Sequence, residues 1–206
     1  MNKVGTIAFV LTFTWFCLGI ASGGESIDRP VSQEGERWEF KANTKDMLTS
    51  TTDILDGKYE VVFLHGQLEV FQIVDGQKVG ASLGVAEKLK RLIAIGQDDL
   101  QLLIFPLSVG KKWTANYQHT SPGARRSQLR SATFQVEKLE QIKVDAGTFQ
   151  AVRIKGTGGN YGVTREWNYH YSPDTKSIVK FFYDSGIGTK SGKTEIELMK
   201  YHPSGR

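Results

Sequence analysis

The side chains best suited to acid–base or metal chemistry are dispersed along the chain. Its four histidines lie too far apart in sequence to form a metal-ligand pair, and no H-E-x-x-H motif is present. Glu166 and His170 are four residues apart, which would join them on a helix, but on a strand four residues span about 13 Å. We therefore expect neither a metal site nor a cofactor. The histidines are His65, His119, His170 and His202.

Two short motifs match enzyme signatures only in outline. Ser108 and Lys111 have the S-x-x-K spacing of penicillin-recognising serine enzymes, but a turn at Gly110 replaces the helix that this motif needs. The glycine-rich stretch 156–162 resembles a nucleotide loop, yet position 161 is tyrosine and a strand follows, so we predict a hairpin turn. Because no catalytic constellation is visible, we expect the protein not to be an enzyme.

The alternating segment 165–171 is the most informative candidate site. Aromatic residues occupy one face of this predicted strand, and polar residues occupy the other. One interpretation is plain amphipathicity, with the aromatic residues in the core. The other is that one face lines a cleft that binds an apolar or ring-bearing ligand. With two further tryptophans, the candidate ligand-binding residues are Trp38, Trp113, Glu166, Trp167, Asn168, Tyr169, His170 and Tyr171.

The elements that must position these residues are predominantly strands. Period-two alternation recurs from residue 36 onward, as in 36–42 and 113–117, and predicts about nine to eleven short strands. Asp75-Gly76 is the strongest hairpin signal, and a further tight turn is predicted at Asp145-Ala146-Gly147-Thr148. The apolar run Leu100–Leu107 is also expected to be a strand that ends before Gly110.

One segment, 85–95, favours a helix. Four apolar residues form a stripe at helical spacing, with basic residues around it. Such a helix would cap a sheet edge or barrel end, or touch a membrane surface, and a strand is the remaining alternative. The stripe consists of Val85, Leu89, Leu92 and Ile93.

Composition limits the class of protein. The chain has 206 residues, a formal net charge of +4, 23% charged residues and one cysteine. This length suits one domain with a real core, and the charged fraction argues against a largely disordered chain. A single cysteine excludes a disulfide framework and a multi-cysteine metal site.

Residues 1–21 have the order of a secretory signal peptide. Lys3 provides a positive start, an uncharged and mostly apolar run follows, and Gly19-Ile20-Ala21 fits cleavage after Ala21. Cleavage would remove Lys3 and Cys17, lowering the formal charge from +4 to +3. We expect a flexible lead-in over 22–35 and a single antiparallel β domain over 36–206.

The predicted location is therefore the periplasm or the extracellular space. An uncleaved membrane anchor is the alternative, and only then do we expect contact with a membrane. Basic residues in two small clusters, Arg125, Arg126 and Arg130 with Lys111 and Lys112, suit either an anionic partner or a solvated loop. No nucleic-acid recognition module is visible.

Three blocks together resemble a known family. They are 105–113 (FPLSVGKKW), 144–154 (VDAGTFQAVRI) and 167–173, which continues to 180. They resemble a family of exported bacterial domains of unknown function, similar in architecture to the half-barrel lipoprotein carriers of the periplasm. The resemblance is sharp over 105–183. It implies an all-β fold, a curved antiparallel half-barrel or open barrel with at most one or two short helices, and supplies no catalytic residues.

These observations predict a non-enzymatic envelope protein. Its ligand would be an apolar or amphiphilic small molecule on the concave face of the sheet. The alternative is a structural or protein-interaction module that binds an envelope protein through a sheet edge or the basic loop near Arg125. A hydrolase is the least favoured function.

The signal peptide predicts a shortened mature chain. We expect the intact mass of the exported protein to correspond to a chain that begins after Ala21 and contains no cysteine. Mass spectrometry with a thiol-labelling reagent measures both properties. A purified chain that still starts at Met1 and labels at Cys17 contradicts this prediction.

Overall fold

The computed structural model describes residues 26–45, 55–93, 101–119, 128–160, 162–187 and 190–205. The predicted signal peptide and the basic pair at 125–126 lie outside these ranges. The described elements are β1 (Arg37–Lys45), β2 (Gly57–Leu64), β3 (Gln67–Val74), β4 (Gln77–Gly80), α1 (Leu83–Lys90), β5 (Lys112–His119), β6 (Gln128–Val144), β7 (Gly147–Asn160), β8 (Val163–Ser172), β9 (Ser177–Ile187) and β10 (Lys190–His202).

All described strands belong to one antiparallel sheet. Its order is β4-β3-β2-β1-β10-β9-β8-β7-β6-β5, so every pair of adjacent strands is consecutive in the chain except β1 and β10. The end strands β4 and β5 do not pair with each other, and the sheet stays open. The predicted all-β class with a curved, open half-barrel is thereby confirmed.

Alternation along the strands gives the sheet an inner face, defined here as the face that carries Trp38 on β1 and Trp167 on β8. On β1 the buried residues are Trp38, Phe40 and Ala42. On β5 and β6 the predicted inward residues Trp113 and Phe134 lie directly opposite each other and are buried. The hairpin at Asp75-Gly76 is also confirmed, and both residues have positive φ as a tight two-residue turn requires.

The predicted helix is present and lies on the inner face. It begins after Ser82, whose Oγ accepts a hydrogen bond from the Val85 amide at 3.4 Å. The helix is shorter than predicted, ending at Lys90, and residues 94–95 lie outside the described ranges. All four stripe residues are nevertheless buried, and Ile93 bridges to Ser177. Among the described residues, no helix is long and apolar enough to cross a membrane.

The apolar run ending at Leu107 is not a strand in its described part, 101–107. Only Leu107 pairs with another segment, exchanging backbone hydrogen bonds with Ile27. Pro106 has no amide to donate to a ladder. The carbonyls of Ile104 and Pro106 instead accept from Lys111 Nζ, both at 2.6 Å. The prediction was wrong because side-chain donors, rather than a neighbouring strand, satisfy this backbone.

The glycine-rich stretch is likewise largely strand rather than turn. β7 continues through Gly156, Gly158 and Gly159, and β8 starts at Val163. A hairpin does connect the two strands, as predicted, but it is much shorter. Gly156 lies between Phe134 and Trp167 across the sheet, and a Cβ there would come within 2.4 Å of the Phe134 ring. The missing side chain is what allows the Phe134 ring to lie over the strand.

This packing predicts that even a methyl group at position 156 destabilises the fold. Gly156→Ala should lower the free energy of unfolding by about 1–3 kcal/mol, because the fully buried Phe134 ring must move. Urea denaturation measures the change. The matched control is Gly80→Ala, since Gly80 is also a strand glycine and a Cβ added there would meet nothing within 4 Å. Equal effects of the two substitutions would contradict the proposed role of Gly156.

Candidate functional site

Aromatic side chains form a continuous array on the inner face between β5 and β9. Trp113 stacks on Phe134 with ring centroids 5.4 Å apart, and Phe134 lies 5.5 Å from Trp167. Trp167 in turn lies 5.3 Å from Tyr183. These four residues come from β5, β6, β8 and β9 in one lateral row, with Gly156 of β7 between them. The fold thus brings two of the predicted tryptophans into one array.

One end of this array is covered by the protein's own chain. Tyr169 is fully buried, and its hydroxyl donates a hydrogen bond to the Leu102 carbonyl. Trp113 Nε1 donates to the Gln101 carbonyl at 2.8 Å. The segment 101–107 therefore lies over the inner face, and a ligand could reach Tyr169 only by displacing it.

Two predicted binding residues lie apart from the array. Trp38 is fully buried on β1, where its Nε1 donates to the Thr175 carbonyl at 2.6 Å and its ring lies 5.8 Å from Tyr201. Tyr171 is also fully buried, with its ring edge-on to Phe105 at 5.4 Å. Burial raises the pKa of Tyr171, and its hydroxyl has no hydrogen-bond partner among the described residues. Both positions belong to the core as the fold stands.

The described residues cover the inner face incompletely. Phe181 and Tyr183 on β9 and Tyr117 on β5 are half-buried, although they lie on the face that carries Tyr169 and Trp113. Phe181 packs 5.9 Å from Tyr169 and so extends the array. We call Tyr117, Phe181 and Tyr183 the open aromatic surface. Part of the inner face is thus fully buried, and part is only half-buried by the described residues.

The predicted polar residues of β8 lie on the outer face of the sheet. Glu166 is exposed and pairs in register with Asp184. Asn168 is half-buried, and its Oδ1 has no partner among the described residues. His170 Nε2 lies 3.1 Å from Glu140 Oε1. These three residues therefore cannot line the same cleft as Trp167.

A residue that the sequence argument overlooked lies on the inner face. Arg165 is two positions before Trp167, shares its face and is only 6% exposed. Strand alternation alone places residue 165 on the same face as Trp167. A charged residue at an inward position is unusual, so the sequence could have identified Arg165 as a candidate. Arg130, interpreted above as part of a solvated basic loop, is instead half-buried in β6 opposite Tyr117.

Burial and the charge of Arg165 shift the pKa values of two neighbouring side chains, Tyr183 and Arg130. Desolvation raises the pKa of the Tyr183 phenol, while the neighbouring Arg165 guanidinium, which shares a hydrogen bond with it, opposes the rise. Desolvation lowers the pKa of Arg130, and repulsion from Arg165 lowers it further. Among the described residues, no group of three or more His, Cys, Asp or Glu side chains could hold a metal ion.

No protein-family model and no curated protein matches the chain. Several solved structures are similar to it. The hypothetical lipoprotein YmcC from Escherichia coli K12 is 13% identical with a TM-score of 0.42, and the match covers 83% of this chain and 86% of that one.

Two further structures come from bacteria of other genera. A protein from Bacteroides fragilis, described as exported and with a YmcC-like fold, is 13% identical with a TM-score of 0.35, covering 86% of this chain and 99% of that one. A protein from Parabacteroides distasonis, described as a lipoprotein, is 11% identical with a TM-score of 0.36, covering 86% and 100%. All three TM-scores are low, so these likenesses carry no conclusion about what this chain binds.

The environment of His170 predicts a pH dependence of stability. Burial lowers the pKa of His170 below 6.5, and the charges of Arg153 and Lys180 lower it further, although the hydrogen bond that His170 donates to Glu140 opposes the shift. The unfolded chain therefore binds a proton first as the pH falls below 6.5, and the free energy of unfolding should decrease in that range.

Urea denaturation at about pH 7.5 and about pH 5.5 tests this linkage. His170→Gln should reduce the difference in unfolding free energy between the two conditions. His65→Gln is the control for the substitution itself, because His65 is exposed in the turn between β2 and β3 and its side chain belongs to none of the ion pairs formed by described residues. An identical pH dependence in the wild type and His170→Gln would contradict the assignment.

Proposed function

We propose that this chain is an exported, non-enzymatic envelope protein that binds an apolar or amphiphilic small molecule on the inner face of its half-barrel. The observation that carries the proposal is the open aromatic surface of Tyr117, Phe181 and Tyr183, which continues the buried array around Trp167. The signal-peptide pattern of residues 1–21 supports export.

The aromatic residues of the inner face are incompletely buried. Strand residues on the inner face of an antiparallel sheet are normally covered, because exposed aromatic rings forfeit the free energy of desolvation. Here α1 and 101–107 cover only one end of the array, as the contacts of Ile93 and Leu102 indicate. Partly exposed aromatic rings beside a buried array offer a hydrophobic ligand an apolar surface to contact.

The absence of a catalytic constellation among the described residues supports a binding role over catalysis. The His170–Glu140 pair is on the outer face and is joined by Lys138 at 2.8 Å from Glu140, which makes it part of a surface ion cluster. No nucleophile lies in hydrogen-bond contact with His170 among the described residues. The chemistry of an enzyme would need both groups at one concave site.

A protein-interaction module is the second candidate. It is favoured by the two end strands, β4 and β5, which the described residues leave without an outer partner. A peptide strand could add to either edge through backbone hydrogen bonds. In-cell crosslinking that repeatedly yields one defined protein partner would favour this candidate over a small-molecule ligand.

The proposal predicts that Phe181 contributes to binding. Phe181→Ser should weaken the binding of the apolar fluorescent probe N-phenyl-1-naphthylamine about tenfold, because it removes an aromatic ring from the open aromatic surface. Fluorescence titration of the folded variants measures this. Phe182→Ser is the matched control, because Phe182 is also half-buried but shares the outer face with Asn168.

Native mass spectrometry of protein purified from the host membrane fraction supplies an independent check. We expect an amphiphile to co-purify with the wild type and to be depleted in Phe181→Ser. Protein that is ligand-free in every preparation, together with equal probe binding by the two serine variants, would contradict the proposed function.

A further inference from the structure

Arg165 lies in a lateral row of small residues across the inner face. Reading from β5 to β10, its neighbours in register are alanine, alanine and glycine on one side and serine and glycine on the other. On β7 and β8 the row is two register pairs closer to the connecting hairpin than the aromatic row of Trp167. Its members are Ala115, Ala132, Gly158, Arg165, Ser185 and Gly192.

The positive charge of Arg165 lacks a carboxylate counterion in the part of the chain that the structure describes. None of the ion pairs formed by described residues includes Arg165, and its buried Nη1 has no hydrogen-bond partner. The acidic residues nearest in register, Glu166 and Asp184, lie on the opposite face of the sheet. An arginine cannot lose its charge at physiological pH, so this guanidinium is a buried cation.

A second cation lies beside it rather than an anion. Arg130 is half-buried in β6 on the same face, two positions from Ala132 of the Arg165 row, and repulsion from Arg165 contributes to the lowered pKa of Arg130. Tyr117 and Tyr183, both from the open aromatic surface, hydrogen-bond to Arg130 and Arg165 respectively. Two positively charged side chains therefore lie on the inner face beside the open aromatic surface.

We propose that Arg165, with Arg130, binds the carboxylate or phosphate group of an anionic amphiphile whose apolar chain lies on the open aromatic surface. The inference rests on the proposed function and names the class of ligand. A guanidinium matches the two oxygens of a carboxylate or phosphate with parallel hydrogen bonds, and burial strengthens them. The half-buried side chains of Tyr117, Arg130 and Ser185 leave the site in contact with solvent.

The geometry also explains why the small residues flank the arginine. At Gly158 the reason is the close approach of β6, because an added Cβ would lie 2.7 Å from the Ser131 carbonyl oxygen and 3.2 Å from Ala132. The residues in register with Arg165 on the two neighbouring strands, Gly158 and Ser185, are both small. The aromatic row next to it supplies the apolar contact for the chain.

The test compares probes of equal chain length that differ only in headgroup. Isothermal titration of the full exported chain with dodecanoate, dodecyl phosphate and dodecanol should show the two anions binding about ten- to hundredfold more tightly than the alcohol. Arg165→Met should abolish this preference while retaining dodecanol binding. Arg153→Met, which removes an outer-face arginine paired with Glu137, is the matched control and should keep the preference.

Inorganic phosphate tests the binding of the headgroup in the absence of an alkyl chain. It should raise the melting temperature of the wild type at millimolar concentration and should not raise that of Arg165→Met. If Arg165→Met does not fold, Arg165→Lys serves instead, and it should lose most of the preference because lysine cannot form the bidentate pair.

The outcomes distinguish this inference from the function on which it rests. Equal affinity of the wild type for dodecanol and the two anions would contradict a preference for an anionic headgroup. It would leave the proposed binding of an apolar ligand unaffected. Phosphate could instead stabilise the protein in an Arg165-dependent way while no dodecyl probe binds. That result would contradict an amphiphilic ligand and indicate a site for a free anion. No phosphate effect and no headgroup preference would overturn the site altogether.

Discussion

The antiparallel pairing of β1 with β10 is the constraint on which the rest of the structure depends. It joins the strands before α1 to those after it, so that two meanders become one sheet. A buried ion network reinforces the junction. Glu36 accepts hydrogen bonds from Lys176 Nζ at 2.6 Å and from the Tyr201 hydroxyl at 2.8 Å. Removal of any one partner would leave a buried charge or hydroxyl unsatisfied, which is why this corner holds its geometry.

Once the sheet is joined, its inner face has to be covered, and the chain covers it unevenly. The segment 101–107 is held down by donors from the sheet itself, Trp113 and Tyr169, and by Lys111 just beyond its end. These bonds cover the end of the aromatic array nearest Tyr169. The other end, at Phe181 and Tyr183, receives no such cover from described residues and stays half-exposed. Because the chain covers the inner face unevenly, the half-exposed part around Phe181 and Tyr183 is a candidate binding surface.

Charge is distributed differently on the two faces. On the outer face, cations and anions are paired across strands, as Arg153 is with Glu137 and Lys180 is with Glu197. Solvent screens such pairs, and each contributes little to stability. On the inner face, Arg165 is buried beside Arg130 with no carboxylate pairing to Arg165 among the described residues. The modest net charge of the whole chain therefore hides a local concentration of positive potential at the uncovered end of the array.

Local patterns in the sequence determined the class of fold. Alternation, the turn at Asp75-Gly76 and the apolar stripe of α1 each depend on residues a few positions apart, so they can be read without knowing the partners. The glycines of β7 and the segment 101–107 could not be assigned this way. Gly156 is explained by rings from β6 and β8, and 101–107 by hydrogen bonds from three separate residues.

The candidate site shows the same division. The sequence by itself determined that Trp167, Tyr169 and Tyr171 share one face, because strand parity is local. Only the tertiary structure decided that Tyr169 is covered, that Tyr183 is accessible, and that Arg165 meets Arg130 from a non-adjacent strand. Burial and counterion pairing are properties of strands brought together across the sheet, and no window of sequence contains them.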